Sequence, residues 1–244
     1  MSLVALAVAV TLSGQAGAML DTALDAVEPP PALRATFRAT LSSDKATRRI
    51  EYDPYAAKAD RFRVTFRSGD DEELDAVVAG WRDEGQADAR LFADNLRQNL
   101  GEGNYEQPQG GAVAVEFKHK ISPIDGPVDR MISAQMTGRL TVDPATSHMK
   151  QLVYSINKPI KIEGGATLTD YQQTLDFGYS KRWGVSYVSG YELVARGGRF
   201  GFEEERTFKV QLNDIAFGLA GDAKQELASR NGPEISGLVA RYQQ

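Results

Sequence analysis

Cysteine is absent from this chain of 244 residues. Without thiols the protein can form no disulfide, no thiolate nucleophile, no cysteine-containing zinc site and no acylated cysteine of the bacterial lipoprotein kind. Its stability must therefore come from a packed core, and the length suffices for one large domain with such a core.

Catalytic motifs are missing as well, and histidine is scarce. The two histidines, His119 and His148, have no metal-ligand spacing around them and fit solvated positions in strands. Neither a nucleophile elbow nor a phosphate-binding glycine loop occurs. The acidic run at residues 203–205 fits an outer strand face better than a pair of catalytic carboxylates. We therefore predict a protein that is not an enzyme, with no catalytic residues, no metal site and no cofactor.

The chain lacks the basic surplus that nucleic-acid binding requires, because its net charge is −5. Locally, residues 34–67 contain nine basic and four acidic side chains, whereas residues 70–94 contain nine acidic and two basic ones. One interpretation is a basic sheet face, with Arg61, Arg63 and Arg67, that meets anionic lipid headgroups or an acidic partner. The other is a pair of solvated surfaces that partly neutralise one another.

Only one long apolar run occurs, and it lies at the start. The first eighteen residues carry no charge and combine an apolar run, Leu3 to Leu12, with a small-residue end, Ala16-Gly17-Ala18. This order predicts a signal peptide cleaved after Ala18 and a periplasmic protein, although no lysine or arginine precedes the run. Such a run spans about 18 Å, short of the roughly 30 Å of a bilayer core. No transmembrane segment is predicted in the mature chain.

Alternation of apolar and polar residues dominates residues 33–67 and 112–215. Residues 19–32 read as an N-terminal helical or linker segment, residues 33–217 as one domain, and residues 218–244 as a partly helical tail. In the strand after the Tyr52-Asp53-Pro54-Tyr55 corner, the pattern places Phe62, Val64 and Phe66 on one face and the arginines on the other. Long strands in succession predict an antiparallel sheet, since parallel strands need longer crossovers.

A helical period replaces the alternation between residues 70 and 100. Asp70 and Glu73 have the spacing of a capping box at the start of the first helix. Its apolar residues recur at helical spacing, at Leu74, Val77, Val78 and Trp81. Gly85 should break this helix, and a second one should end at Gly101 and Gly103. We predict that this insertion covers the apolar face of the sheet.

Aromatic residues on the apolar face are the candidates for ligand binding. One helix over about eight long strands would leave apolar area uncovered, so a ligand cavity is predicted there. Its candidate lining residues are Phe37, Phe62, Phe66, Trp81, Phe117, Phe202 and Phe208.

Four stretches together resemble a known group of proteins over residues 33–217. They are RRIEYDPYAAKADRFRVTF, GDDEELDAVVAGWRDEG, MTGRLTVDPATSHMKQLVYSINKPIKIEGG and FGFEEERTFKVQLNDIAF. The group comprises uncharacterised proteobacterial periplasmic proteins that are similar to the LolA/LolB-like carriers of outer-membrane lipoproteins. The resemblance implies a mainly β fold of the α+β class, in which a strongly curved antiparallel sheet forms a half-open β-barrel and a helical lid covers its concave face. It also implies binding of acyl chains or apolar peptide there.

Two functions follow from these observations. The first is a non-enzymatic periplasmic protein that binds a lipid, an acyl chain or another apolar moiety between sheet and lid, as a lipid or lipoprotein carrier would. The alternative is a cell-envelope interaction or structural module with a filled core, which acts through its basic strand face and contacts the membrane surface peripherally. The ligand and the oligomeric state stay open.

Overall fold

Antiparallel strands form most of the described part of the chain in this computed structural model, which describes residues 16–83, 85–93, 95–106, 112–121, 126–162, 165–199 and 202–220. The strands are β1 (Leu33–Ser43), β2 (Thr47–Tyr52), β3 (Phe62–Ser68), β4 (Leu100–Glu106), β5 (Val113–His119), β6 (Met136–Val142), β7 (Met149–Ile156), β8 (Ile160–Ile162), β9 (Ala166–Ser180), β10 (Val185–Arg199) and β11 (Phe202–Leu219). The helices are α1 (residues 16–25), α2 (Glu72–Asp83), α3 (Leu96–Asn99) and α4 (Pro127–Ser133), with 3₁₀ turns at Lys58–Asp60 and Ala87–Leu91.

All eleven strands belong to one antiparallel sheet in the order β3-β2-β1-β11-β10-β9-β7-β6-β5-β4, with β8 paired to β9. The sheet is not closed, because β3 and β4 lie at its two edges. The predicted mainly β, antiparallel architecture is confirmed. Since β1 pairs with β11, the two ends of the predicted domain meet inside the sheet, two strands from the edge strand β3.

The helices pack on one face of the sheet, which we call the covered face. Two clusters of buried side chains lie there. The first joins α1 to β5, β6 and β7, through Leu20, Ala23, Leu24, Val27, Val115, Phe117, Leu140, Leu152 and Tyr154. The second joins α2 and residues 87–91 to β1 and β2, through Phe37, Leu41, Ile50, Tyr52, Leu74, Val78, Trp81 and Leu91. Each cluster thus lies towards one edge of the sheet.

One arginine adds ion pairs to the packing of α1 on the sheet. Arg97 contacts Asp21 at 3.2 Å, Asp25 at 2.7 Å and Glu28 at 3.6 Å. Three carboxylates from the N-terminal segment therefore form ion pairs with one guanidinium group, that of Arg97 in α3. Residues 1–15, which hold most of the predicted signal peptide, lie outside the described residues.

A β-bulge in the β2–β3 pair reverses the predicted faces of two residues. Tyr52 pairs with Phe62 and Ile50 with Val64, but beyond a register shift Arg49 pairs with Phe66. One extra residue on a strand exchanges the faces of all side chains that follow it. The prediction that Phe66 shares a face with Phe62 and Val64 is therefore wrong. Its ring lies 41% exposed on the opposite face, with the Arg49 guanidinium 4.8 Å from its centroid.

The same bulge brings Arg67 next to buried Arg48, on the side where α2 packs. The Asp75 carboxylate of α2 accepts hydrogen bonds from Nε and Nη2 of Arg48, at 2.8 and 3.1 Å, and contacts Arg67 Nη1 at 3.4 Å. Arg67 therefore does not share a face with Arg63, and the predicted grouping of the three arginines is wrong. The two oppositely charged segments of the sequence meet at this point.

Asp71, and not the predicted Asp70, caps α2. Its Oδ1 accepts hydrogen bonds from the backbone amides of Glu73 (3.0 Å) and Leu74 (3.1 Å), and its Oδ2 accepts the Ser43 hydroxyl at 2.6 Å. The Ser43 hydroxyl and the Leu74 amide hold the pKa of the Asp71 carboxyl below its usual value. An aspartate that satisfies the first amides of a helix fixes where the helix begins.

We expect Asp71→Asn to destabilise the protein at pH 7 by about 1 kcal/mol, because asparagine caps the helix without the negative charge. The folded-state pKa of Asp71 lies below its unfolded value of 3.8, so its charge contributes stability above that pH. The contribution disappears as the pH falls through the folded pKa. Urea unfolding of both proteins should show curves that differ at pH 7 and converge near pH 2.

Asp70→Asn is the matched control, since Asp70 is the exposed neighbour that makes no cap. It should leave the urea midpoint unchanged at both pH values. A constant difference between Asp71→Asn and the parent protein across this pH range would contradict the assigned role of the carboxylate.

The second predicted helix is largely replaced by other structure. Residues 87–91 form a 3₁₀ turn, α3 has one turn, and β4 starts at Leu100. Gly101 and Gly103 thus lie in a strand and do not end a helix. A Cβ on Gly101 would lie 2.3 Å from the Lys118 carbonyl oxygen, so this glycine permits close approach of β5. Helix α2 ends at Asp83, before Gly85 with its φ of 71°, as predicted.

Candidate functional site

A cavity of about 610 Å³ lies between the covered face and residues of α2, of the 3₁₀ turn at Ala87–Leu91 and Asn95. We call it the apolar cavity. It lies over strands β9, β10 and β11, between the two buried clusters. Its apolar lining consists of Leu41, Leu74, Val77, Trp81, Leu91, Leu175, Val188, Tyr191, Leu193, Phe208, Val210 and Leu212. Small-molecule sites span roughly 300–1,000 Å³ and have mostly apolar walls.

The cavity exists because the helices cover the sheet unevenly. Helix α2 packs on β1, and the 3₁₀ turn at residues 87–91 packs on β1 and β10. The helical period of α2 buries Leu74, Val78 and Trp81, while Val77 stays 40% exposed at the rim. Over the middle strands the apolar side chains stay only partly buried. Apolar surface of the middle strands is therefore left uncovered by the helices.

Trp81 is held in place from two sides. Its ring meets Phe37 edge-on at a centroid distance of 6.0 Å, and the Arg90 guanidinium lies 5.6 Å from its centroid. Arg90 is exposed and also lines the cavity. The indole thus forms a fixed apolar wall.

The floor of the apolar cavity carries one hydrogen-bonded polar pair. Gln173 Nε2 of β9 donates to the Tyr191 hydroxyl of β10 at 3.2 Å. Burial raises the pKa of Tyr191 to about 12, so its hydroxyl stays protonated at neutral pH. Both groups are neutral.

A second cavity of about 310 Å³ adjoins the first, and we call it the polar cavity. Asn95, Gln173 and Leu175 line both cavities and form a shared wall. Its further lining consists of Ala93, Leu96, Asn99, His119, Ile132, Ser133, Met136, Leu152, Tyr154 and Tyr171. The cavity lies between α3, α4 and strands β5, β6, β7 and β9.

Two of the predicted ligand-binding residues, Trp81 and Phe208, line the apolar cavity. Phe37 and Phe117 are only 2% exposed and belong to the two buried clusters. Phe62 is partly buried against the second cluster. Phe66 lies on the opposite face, as described above, and the side chain of Phe202 lies outside the described part of the structure. The predicted aromatic set is therefore split between core, cavity and surface.

The aliphatic wall and the polar pair were not predicted. Leu193, Val210 and Leu212 come from β10 and β11 and supply much of the apolar lining. A usable signal was present in β9, where polar Gln173 interrupts the apolar positions Tyr171, Leu175 and Phe177 on the covered face. A polar residue at an apolar position of a strand marks a place where the covering is incomplete.

The basic strand face is partly neutralised by one acidic residue. Glu51 contacts Arg38 at 3.0 Å and Arg63 at 3.2 Å. Arg61 Nε donates to the Ala56 carbonyl oxygen at 3.2 Å and so supports the local turn. Together with Arg67 beside Asp75, these contacts leave no concerted cluster of the three predicted arginines.

Comparisons with protein-family models, curated proteins and solved structures found no match for this chain. None of the described helices has the length and hydrophobicity needed to span a bilayer. Among the described residues, no group of three or more His, Asp or Glu side chains is arranged to hold a metal ion. What the fold and the cavities define is a mainly β protein with apolar and polar cavities between its helices and one sheet face.

Proposed function

We propose that this protein binds a lipid, an acyl chain or another apolar moiety in the apolar cavity, as a non-enzymatic carrier exported to the periplasm. The observation that carries the proposal is the cavity of about 610 Å³ with its aliphatic and aromatic walls. In this proposal the sheet acts as a half-open barrel and α2 with residues 87–91 acts as its lid. The resemblance to lipoprotein carriers agrees with this function.

The energetics suit an acyl chain. Each methylene group moved from water into an apolar site contributes about 0.8 kcal/mol. Burial of about ten such groups contributes roughly 8 kcal/mol before the costs of association are subtracted. Gln173 and Tyr191 on the cavity floor are neutral, and of the two basic lining residues, Arg90 lies against the Trp81 ring and Lys209 pairs with Glu192 at 2.8 Å.

The alternative, an interaction module acting through its basic strand face, is less well supported. Arg38 and Arg63 share Glu51, and Arg67 contacts Asp75 on the other face. Exposed pairs of this kind reduce the field that would attract an anionic surface.

The full-length chain, expressed in a Gram-negative host and extracted from the periplasm, should carry a co-purified acyl compound in native mass spectrometry. The protein mass should correspond to a chain that begins at Met19. After the ligand is removed, a brominated fatty acid should quench Trp81 in a Trp183→Phe background, because bromine quenches indole only at short range. The chain contains two tryptophans, so this variant reports on Trp81 alone.

Charge reversal of Arg61 and Arg63 is the control for this experiment, and Arg67 is left unchanged because it contacts Asp75 of α2. The reversed variant should show the same quenching of Trp81 as the parent. If the parent binds anionic vesicles and the reversed variant does not, the alternative function is favoured. Protein that is repeatedly free of ligand and shows no quenching by acyl probes would refute the proposed function.

A further inference from the structure

We propose that the ligand is a neutral amphiphile, such as an acylglycerol, whose acyl chain lies in the apolar cavity and whose uncharged head hydrogen-bonds in the polar cavity. This inference rests on the proposed function and names the substrate class of the same site. It assigns a role to Tyr154 and Gln173 as ligand-binding residues.

The first argument is the shared wall. Asn95, Gln173 and Leu175 line both cavities, so the apolar and polar cavities are neighbours on the covered face. The strand register places Tyr154 of β7 beside Gln173 of β9. Gln173 in turn donates to Tyr191 of β10 at 3.2 Å. A row of neutral polar groups therefore leads from the polar cavity to the floor of the apolar one.

The second argument is the Tyr154 hydroxyl. Tyr154 is 7% exposed and lines the polar cavity, and no residue in the described ranges hydrogen-bonds to its phenolic oxygen. Its ring is fixed edge-on against Phe117 at 6.0 Å and His119 at 5.2 Å. The phenolic oxygen is not among the fully buried side-chain atoms of the described residues that lack a partner, so it is open to the polar cavity, where a ligand oxygen can hydrogen-bond to it.

The third argument is charge. The described residues that line the polar cavity include amides, hydroxyls and an imidazole, but no lysine, arginine, aspartate or glutamate. Burial of a phosphate or carboxylate without a cation is unfavourable, whereas a glycerol or ester group needs only neutral partners. Burial also raises the pKa of Tyr154, which keeps its hydroxyl as a donor and acceptor at neutral pH. An uncharged head therefore suits this lining best.

Three probes with the same acyl chain test the inference, namely 1-palmitoylglycerol, palmitic acid and lysophosphatidylglycerol. Each competes with brominated fatty acid for quenching of Trp81 in the Trp183→Phe background. We expect 1-palmitoylglycerol to bind at least about fivefold more tightly than either anionic probe. Tyr154→Phe should weaken 1-palmitoylglycerol about five- to tenfold, the effect of one hydrogen bond, and leave palmitic acid within twofold.

Tyr179→Phe is the matched control, because Tyr179 stacks on His148 and lines neither cavity. It should change no affinity. Tyr154→Phe loses no hydrogen bond within the described structure, so its urea midpoint should match that of the parent, which separates a binding defect from a folding defect.

Two results would overturn the inference while the proposed function stands. One is equal affinity for the three probes with no effect of Tyr154→Phe. The other is tighter binding of palmitic acid that Arg90→Gln removes, which would place a charged head beside Arg90. If no acyl probe quenches Trp81 at all, the proposed function itself fails.

Discussion

Replacement of Leu193 with tryptophan should lower the affinity for an acyl ligand at least about 50-fold. Leu193 lies on β10 in the middle of the covered face, paired with Phe208 and Gln173, and lines the apolar cavity. A larger indole there occupies space that the ligand needs. Exclusion of about three methylene groups at roughly 0.8 kcal/mol each costs about 2.4 kcal/mol, which is about 50-fold in affinity. Isothermal titration calorimetry measures this without interference from the added tryptophan.

Val194→Trp is the matched control for this prediction. Val194 is the next residue of the same strand and pairs with Thr207 and Gln172, so its side chain points to the opposite face. The same substitution there should leave the affinity within about twofold. Equal losses in both variants would indicate a general disturbance of β10, and an unchanged affinity in Leu193→Trp would show that acyl chains bind elsewhere.

The sheet could be predicted because a strand with one buried face has apolar and polar residues that alternate along the sequence. In β1 the residues Leu33, Phe37 and Leu41 are at most 2% exposed, as their alternation predicted. The need for a cavity could also be anticipated, since one helix cannot cover a wide sheet. These inferences depend only on the local alternation of residues and on the size of the sheet relative to the helix that covers it.

Pairing between strands could not be predicted, and the errors at Phe66 and Arg67 follow from this. The residues FRVTFRS alternate without a flaw, so the extra residue becomes visible only against Arg49 and Ile50 of β2. β4 was missed for a related reason. The missing side chain of Gly101 allows close approach of the backbone at Lys118 in β5, and this approach is visible only once β4 and β5 are paired.

The prediction of the candidate site relied too much on aromatic residues. Phe37 packs against Tyr52 at a ring distance of 5.4 Å, and Phe117 packs against Tyr154 at 6.0 Å. Large rings fill the two clusters below the helices, where they bury the most area. Smaller residues such as Leu193 and Val210 form the cavity walls between the clusters. Composition alone cannot distinguish these two environments.

The largest loss of stability is expected for Arg48→Met. Arg48 is 2% exposed, forms a two-point contact with Asp75, and donates to the carbonyl oxygens of Thr47 (3.0 Å), Ser68 (2.8 Å) and Gly69 (3.1 Å). Methionine keeps much of the volume and removes every donor. Unpaired carbonyls and a carboxylate left without its main partner should together lower the free energy of unfolding by about 2–4 kcal/mol. Urea unfolding followed by circular dichroism measures this loss.

Arg67→Met isolates the effect of burial, because Arg67 contacts the same carboxylate of Asp75 from a position where its side chain is 59% exposed. An exposed pair contributes little, so we expect a loss below about 1 kcal/mol. Similar losses in the two variants would contradict the role of burial. Because Arg48 joins β2 and the β3–α2 turn to the first turn of α2, its removal should also loosen the helix that carries Trp81. Arg48→Met should therefore bind the acyl ligand more weakly at concentrations of urea at which Arg67→Met still binds it with unchanged affinity.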